Sequence, residues 1–272
     1  MIIATMLIFP KVKAETLKGA LESLIRNHKS MIAANADLAA AKESVETAMG
    51  GWYPTLDLTA NIGNEQRNKQ TGSDDSNMVP RNIEMAIKQK IWDFGSTDSS
   101  IRSAKLTLQQ SIASSDSTRQ NLLLQGITAH YNVIRAQTLF DFATASAANI
   151  KRQSELENAR VQRGSGLSTD VLQAKTQLAG AEARSIQSRG TLRTALNRYK
   201  AIFGQTPSNI TSLKNPRLPL DRLPTSITDA LGFVFKSNPD LNVSRIGTSI
   251  ASETVRKTRA DEFMPIFEAS AA

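Results

Sequence analysis

The period of apolar and polar positions changes several times along this chain. From about Ser96 to Arg163 there is no proline and a single glycine, Gly126, while Ala, Leu, Gln, Arg and Ser dominate. A helix of that length reaches roughly 100 Å, several times the diameter of a small domain. A proline-free run so long points to a coiled coil, a repeat array or another extended assembly. Gly164-Ser165-Gly166 then breaks the pattern, and Ser168 and Asp170 are candidate caps for a following helix. From Val171 onward an alternation of three and four selects Val171, Ala174, Leu178, Ala181, Ser185, Ser188, Leu192, Ala195, Tyr199 and Ile202. That is a heptad seam of mostly small residues, which lets helix backbones approach closely. The short connection makes the two helices antiparallel neighbours, so the break predicts the tip of a long helical hairpin. An ordinary hairpin of a soluble bundle or cytoskeletal rod fits the same pattern.

Two segments upstream alternate with period two. In the first, Leu56, Leu58, Ala60 and Ile62 point one way and Thr55, Asp57, Thr59 and Asn61 the other. In the second, Ile83, Met85, Ile87 and Ile91 oppose Glu84, Lys88 and Lys90, and a polar loop from Glu65 to Pro80 lies between the two. Segments of this length, edged by Trp52, Tyr53 and Trp92, carry the signature of transmembrane β-barrel strands. A hairpin half-buried on a soluble core reads the same way. Two strands cannot close a barrel alone, so a membrane role demands oligomerisation or further strands.

The chain is also self-similar. Thr16 to Leu58 resembles Ser226 to Ala269: Ala20 and Leu21 pair with Ala230 and Leu231, Ala41 with Ala251, Glu43 with Glu253, and Val45 with Val255. One residue later in register, Pro54-Thr55-Leu56-Asp57-Leu58 meets Pro265-Ile266-Phe267-Glu268-Ala269. The expected organisation is a signal peptide over 1–14, a first repeat over 15–225 and the start of a second, incomplete repeat over 226–272. The leader rests on an apolar run from Ile2 to Phe9 followed by Val12-Lys13-Ala14, a small-x-Ala cleavage pattern without a positive n-region; a buried N-terminal strand is the alternative.

Composition narrows the function classes. Aromatics make up 5% of the 272 residues, which suits thin helical layers better than a thick enzyme core. The net charge of +8 is spread along the chain, so nucleic-acid binding is not expected. There is no cysteine, hence no disulfide or thiolate chemistry, and no further apolar run approaches the roughly 20 residues of a spanning helix. His28 and His130 are far apart and read as polar-face histidines within helical runs. Gly164 and Gly166 lack the lysine of a phosphate loop. Ser73, Asp74, Asp75 and Asn77 read as a solvated loop without EF-hand spacing. No catalytic residue, metal site or cofactor is expected, and the chain is not read as an enzyme.

The order of elements resembles the TolC-like outer-membrane efflux and secretion channels, with the flavour of the type I secretion branch. The stretches that carry the likeness are "GWYPTLDLTANIG", "KQKIWDFGS", "RVQRGSGLSTDVLQA" and "SNPDL". The resemblance implies a fold that is mainly α with a small β part, in which a long antiparallel helical hairpin, the tunnel, joins β-barrel strands in an oligomer. It implies an outer-membrane location with the helices in the periplasm, and three chains sharing a twelve-stranded barrel. Trp52, Tyr53, Pro54, Leu56, Leu58, Ile62, Ile83, Met85, Ile87, Ile91 and Trp92 would be the membrane strands. Gly164, Leu167, Ser168, Thr169 and Asp170 would form the tip where a periplasmic adaptor docks, with Thr169 and Asp170 near the closed aperture. The implied partners are that adaptor, an inner-membrane transporter, outer-membrane lipid and further copies of the chain as a trimer. In the family the tip's polar groups pair with a second hairpin, which this sequence lacks. Three such chains would supply two complete strands each, so the expectation is a truncated channel product. A hexamer of single units would restore twelve strands, and a soluble coiled-coil scaffold is the rival reading.

Overall fold

The computed structural model describes residues 17–67, 76–207, 209–210, 213, 215 and 223–271. In chain order the elements are α1 (Leu17–Asn27), α2 (Lys29–Met49), a 3-10 turn (Gly50–Trp52), β1 (Thr55–Ile62), β2 (Glu65–Arg67), β3 (Ser76–Met78), β4 (Arg81–Trp92), α3 (Ser96–Gln162), α4 (Ser168–Phe203), α5 (Ile227–Ser237), α6 (Pro239–Phe263) and β5 (Phe267–Ala271). The chain is thus mainly α with a small β part. The expected leader lies outside the described residues, as do Ser73, Asp74 and Asp75; of Asn77 the backbone alone is described, in β3.

The chain divides into two compact units. One comprises Met1–Ile32 and Thr118–Ala230, the other Ala33–Ser117 and Leu231–Ala272. The helix α3, 67 residues long, gives its first part to the second unit and the remainder to the first.

In the first unit α4 runs back along α3, and every one of the ten expected seam positions is buried or half-buried. Val133 and Ala129 of α3 pack with Tyr199 of α4, and Tyr199 stacks on Phe203 with centroids 4.3 Å apart. At the far end of α4, Leu24 of α1 joins Met31 and Leu122, with Leu21, Ile202 and Phe203 around them. Gly126 explains itself here. A Cβ at this position would stand 2.8 Å from Leu21 Cδ2, 3.0 Å from Leu24 Cδ2 and 3.3 Å from Phe203 Cζ. The one glycine in the long helix admits α1.

In the second unit β4 is the centre of an antiparallel sheet of order β1-β4-β5, and β2 pairs with β3. The expected polar loop therefore contains a short strand pair that extends the β1–β4 hairpin, because backbone donors and acceptors at 65–67 and 76–78 satisfy one another. α6 lies along the first part of α3: Ser117 Oγ donates to Asp240 at 2.5 Å, Gln110 Nε2 to the Val243 carbonyl at 3.3 Å, and Arg102 Nε to Glu253 at 2.9 Å. Ser96 Oγ bonds Asp261 at the strand end of the same row.

The self-similarity is structural. α1, a break at His28 and α2 are matched by α5, a break at Asn238 and α6. Asn238 caps α6 through bonds from the Asp240 and Leu241 N–H groups, at 2.8 and 3.1 Å. The His28 Nδ1 accepts from the Ser30 N–H at 3.2 Å. His28 is therefore not a polar-face residue within a helix; it turns the chain between two helices. His130 differs as well, being buried on α3 at 2% exposure beside the Ala129–Val133 contact rather than facing solvent.

Candidate functional site

Three pieces of the molecule carry the expected site residues: the strand hairpin, the strand-to-helix junction and the helical tip. In the hairpin the register sets Leu56 opposite Ile87, Leu58 opposite Met85 and Ala60 opposite Ile83. Directly opposed side chains share a face, so Leu56, Leu58, Ala60, Ile83, Met85 and Ile87 form one surface and Thr55, Asp57, Thr59, Lys88 and Glu84, with Ala86, the other. Every residue of β1 is exposed, and Leu58, Ile62 and Ile83 each exceed two thirds exposure at 70%, 73% and 77%. Among the described residues no element covers this face, and none of them half-buries the hairpin. Tyr53, Met85, Ile87, Ile91 and Trp92 are exposed too. A bulge between Lys90 and Trp92 leaves Ile91 outside the ladder and sets Trp92 opposite Phe267. Trp92, Phe94 and Phe267 then form a ring cluster at the strand ends, with centroids 6.0 and 6.3 Å apart.

The junction between β4 and α3 is built on Asp93, at 1% exposure. Its Oδ1 accepts from the Gly95 N–H at 3.2 Å, and its Oδ2 from the Thr97 N–H at 2.8 Å and from the Thr97 hydroxyl. Lys90 Nζ stands 3.5 Å away. Phe94 and Gly95 both adopt positive φ, 51° and 90°, which turns the strand sharply into the helix. Burial works to raise the Asp93 pKa, but the bonds from Thr97 and Gly95 and the Lys90 charge outweigh it and hold the carboxyl below its ordinary 3.8. Trp52 joins the same knot: its Nε1 donates to Asp98 at 3.2 Å and its carbonyl accepts from Gln89 Nε2 at 2.7 Å. Sequence reasoning found Trp52 and Trp92, quoted Asp93 and Ser96 within the strand-end stretch without giving them a role, and missed Thr97. The available signal was an Asp just ahead of the helix start, whose short side chain bonds nearby backbone N–H groups, here those of Gly95 and Thr97.

The tip closes α3 with a Schellman motif. The Ser165 N–H reaches the Arg160 carbonyl at 3.0 Å, the Gly164 N–H the Val161 carbonyl at 2.9 Å, and Gly164 has φ of 76°. Gly166 is held close to α3, since a Cβ there would stand 3.1 Å from Val161 Cγ2. The residue that caps α4 is Leu167, by its backbone alone, and neither Ser168 nor Asp170 acts as the cap. Both already lie inside the first turn, where Asp170 instead places a negative charge against the positive end of the helix. Gly164, Leu167, Ser168, Thr169 and Asp170 are all exposed, Leu167 at 68%. The structure thus gathers the five expected tip residues on one turn and Leu56, Leu58, Ile62, Ile83, Met85 and Ile87 on one sheet face, whereas Trp52 ends the 3-10 turn, Tyr53 and Pro54 precede β1, and Ile91 and Trp92 fall at the bulge.

No described helix is long and apolar enough to cross a membrane, and no described group of His, Cys, Asp or Glu side chains is arranged to hold a metal ion.

Comparison with known proteins assigns this architecture. Among solved structures, the Campylobacter jejuni CmeC outer membrane channel superposes with a TM-score of 0.81 at 15% identity, over 93% of this chain and 55% of that one. The outer membrane protein VceC of Vibrio cholerae gives 0.74 at 20% identity, over 93% and 61%. Among sequence relatives, the outer membrane protein TolC of Vibrio cholerae serotype O1 is 24% identical over 244 residues, 90% of this chain and 55% of the relative. The alkaline protease secretion protein AprF of Pseudomonas aeruginosa is 28% identical over 152 residues, 55% of this chain and 31% of the relative. The chain spans about half the length of the TolC relative. Residues 20–205 match the family model described as outer membrane efflux protein. The chain therefore belongs to the outer membrane efflux protein family.

Proposed function

We propose that this chain forms part of the wall of a passive export duct. β1 and β4 stand in the outer membrane, and the α3–α4 hairpin extends into the periplasm to meet an adaptor that couples the duct to an inner-membrane transporter. Membership of the efflux family supports the channel class, and that family is one of channel proteins rather than enzymes. The observation that carries the reading is the β1–β4 hairpin: Leu56, Leu58, Ile62, Ile83, Met85 and Ile87 share one exposed face, and Asp93 ties that hairpin straight into the first turn of α3. Backbone groups in lipid must be satisfied internally, so such strands act in a closed barrel shared between chains or repeats. A trimer would meet that demand by cyclic symmetry.

In this reading 15–225 is a first repeat and 226–272 opens a second, whose β5 already pairs with β4. Gly164, Leu167, Ser168, Thr169 and Asp170 form the adaptor contact. Cargo passes along polar walls that bind it weakly, with energy supplied by the inner-membrane partner.

Carbonate-washed outer membranes from the native source, probed for intact mass, test the proposal. Retention in the washed membrane supports it, and complete release would leave the scaffold reading in its place. A Ser168→Cys variant carrying a photocrosslinker should capture a periplasmic adaptor; capture of none in cells expressing the full export machine would count against the tip assignment.

A further inference from the structure

The apolar face of the β1–β4 hairpin ends on a charge. From the junction outward its opposed pairs are Leu56 with Ile87, Leu58 with Met85 and Ala60 with Ile83, and the last is Ile62 with Arg81. Both members of that last pair are exposed, and alternation sets them on the apolar side, so Arg81 is the one charged residue among the opposed pairs of this face. Beyond it the Gly63 N–H reaches the Pro80 carbonyl at 3.1 Å, and Glu65 pairs with Met78. The register continues unbroken, so the next row on the same side sets polar Asn64 beside Val79. At the other end of β4 stands Trp92, in its ring cluster with Phe94 and Phe267.

The length between these two ends is informative. From Arg81 to Trp92 the strand runs about 36 Å at roughly 3.3 Å per residue. Tilted by about 40°, it rises roughly 28 Å along the membrane normal, close to the height of the apolar band of a membrane barrel. Aromatic rings therefore mark one boundary of the band and a guanidinium the other. Among the described residues no carboxylate forms an ion pair with Arg81, and Glu84, the one acid of β4, lies on the opposite face with Thr59.

We propose that Arg81 binds the phosphate of an anionic lipid head group in the leaflet farther from the helices. The inference rests on the reading that β1 and β4 stand in a membrane. The helices leave from the Trp92 end of the sheet, so Arg81 belongs to the far surface. Its planar fork matches phosphate oxygens through parallel bonds, while the acyl chains of the same lipid cover Ile62, Ile83 and Met85. A choline head group carries the same phosphate beside its own ammonium, so the anionic lipid gains more from the guanidinium. A free phosphate ion would use the charge but leave the apolar rows uncovered.

The test uses the full chain reconstituted in phosphatidylcholine vesicles that carry a trace of spin-labelled phosphatidylglycerol or spin-labelled phosphatidylcholine. Electron spin resonance should show the glycerol lipid held at a site present once per chain about fivefold more strongly than the choline lipid, the strength of one basic residue at an anionic surface. Rising salt should weaken that preference. Arg81→Gln should abolish it, Arg81→Lys, which keeps the charge and loses the fork, should retain part of it, and Lys88→Gln on the opposite face should leave it as in the parent. Circular dichroism matched to the parent confirms that each variant is folded. A parent chain that restricts both lipids without preference, a preference that survives Arg81→Gln, or equal loss in Lys88→Gln would overturn the proposal. So would abolition by inorganic phosphate where chloride of the same ionic strength leaves the preference standing, since the site would then take the free ion. A chain that restricts neither lipid would instead remove the membrane reading itself, and the proposal with it.

Discussion

At the scale of single residues, Asp93 and Gly126 are the positions on which most depends. Replacing Asp93 by Ala removes the acceptor for the Thr97 and Gly95 N–H groups in a site that is almost fully buried. Leaving those donors unsatisfied should cost about 1–3 kcal/mol, read as a lower thermal midpoint. The pH dependence has a definite sign. The folded carboxyl titrates below its ordinary value, so its contribution is present at neutral pH and is lost as pH falls through the depressed folded pKa. Parent protein should therefore lose more stability than Asp93→Asn on acidification below about pH 4; equal acid sensitivity would show that the junction does not depend on the ionised form. Gly126 is constrained by space. Gly126→Leu drives a side chain into Leu21, Leu24 and Phe203, and overpacking should cost about 1–3 kcal/mol and speed hydrogen exchange in α1.

At the scale of elements, α6 is tied to α3 by polar contacts that flank a half-buried row at Val243, Ile246 and Ile250. Glu253, at 8% exposure, takes Arg102 Nε at 2.9 Å and Arg256 Nη1 at 2.7 Å. The Arg102 bond, against some burial, holds its carboxyl below the ordinary 4.5, so protonation at low pH releases the clamp. Glu253→Gln should raise hydrogen exchange across Pro239–Phe263 at neutral pH while α4 exchanges as before; unchanged exchange in α6 would mean that its packing, not this ion pair, holds it. The first copy of the repeat does not make these contacts. Glu43, the counterpart of Glu253, is exposed, while Ala41 and Val45 are buried where Ala251 and Val255 are not. Similar sequences thus present different faces, and an alignment of the copies could not show which. The seam of α4 was legible residue by residue because heptad spacing depends only on helix geometry and side-chain size. Helix ends were less so. Ser168 and Asp170 have good capping chemistry but sit past the cap, and His28 has a side chain that turns the chain in the middle of an apparently continuous helix. Which residue ends a helix is decided by the geometry of the connection, and side-chain propensity is only one contribution to it.

At the scale of the whole molecule, the sheet makes the sharpest demand on its surroundings. The alternation in β1 and β4 was plain in the sequence, and the pairing brings the two apolar sets onto one face. What the sequence left open was whether that face meets a core or lipid, because both environments select the same side chains. The uncovered face favours lipid, and substitution can separate the two faces. Leu58→Arg and Met85→Arg place a charge on directly opposed positions of the apolar side. At the middle of a bilayer each should cost about 2–4 kcal/mol, reduce the amount of protein in washed outer membranes and leave the helical signal of the detergent-solubilised chain intact. Asp57→Asn and Lys88→Gln alter an exposed pair on the opposite face, whose charged groups stand 3.8 Å apart, and should leave membrane recovery nearly unchanged. Equal losses from both faces would mean that the sheet meets a protein surface on each side. Loss confined to Leu58 and Met85 identifies lipid as the solvent of the apolar face and leaves the polar face to the interior of the duct.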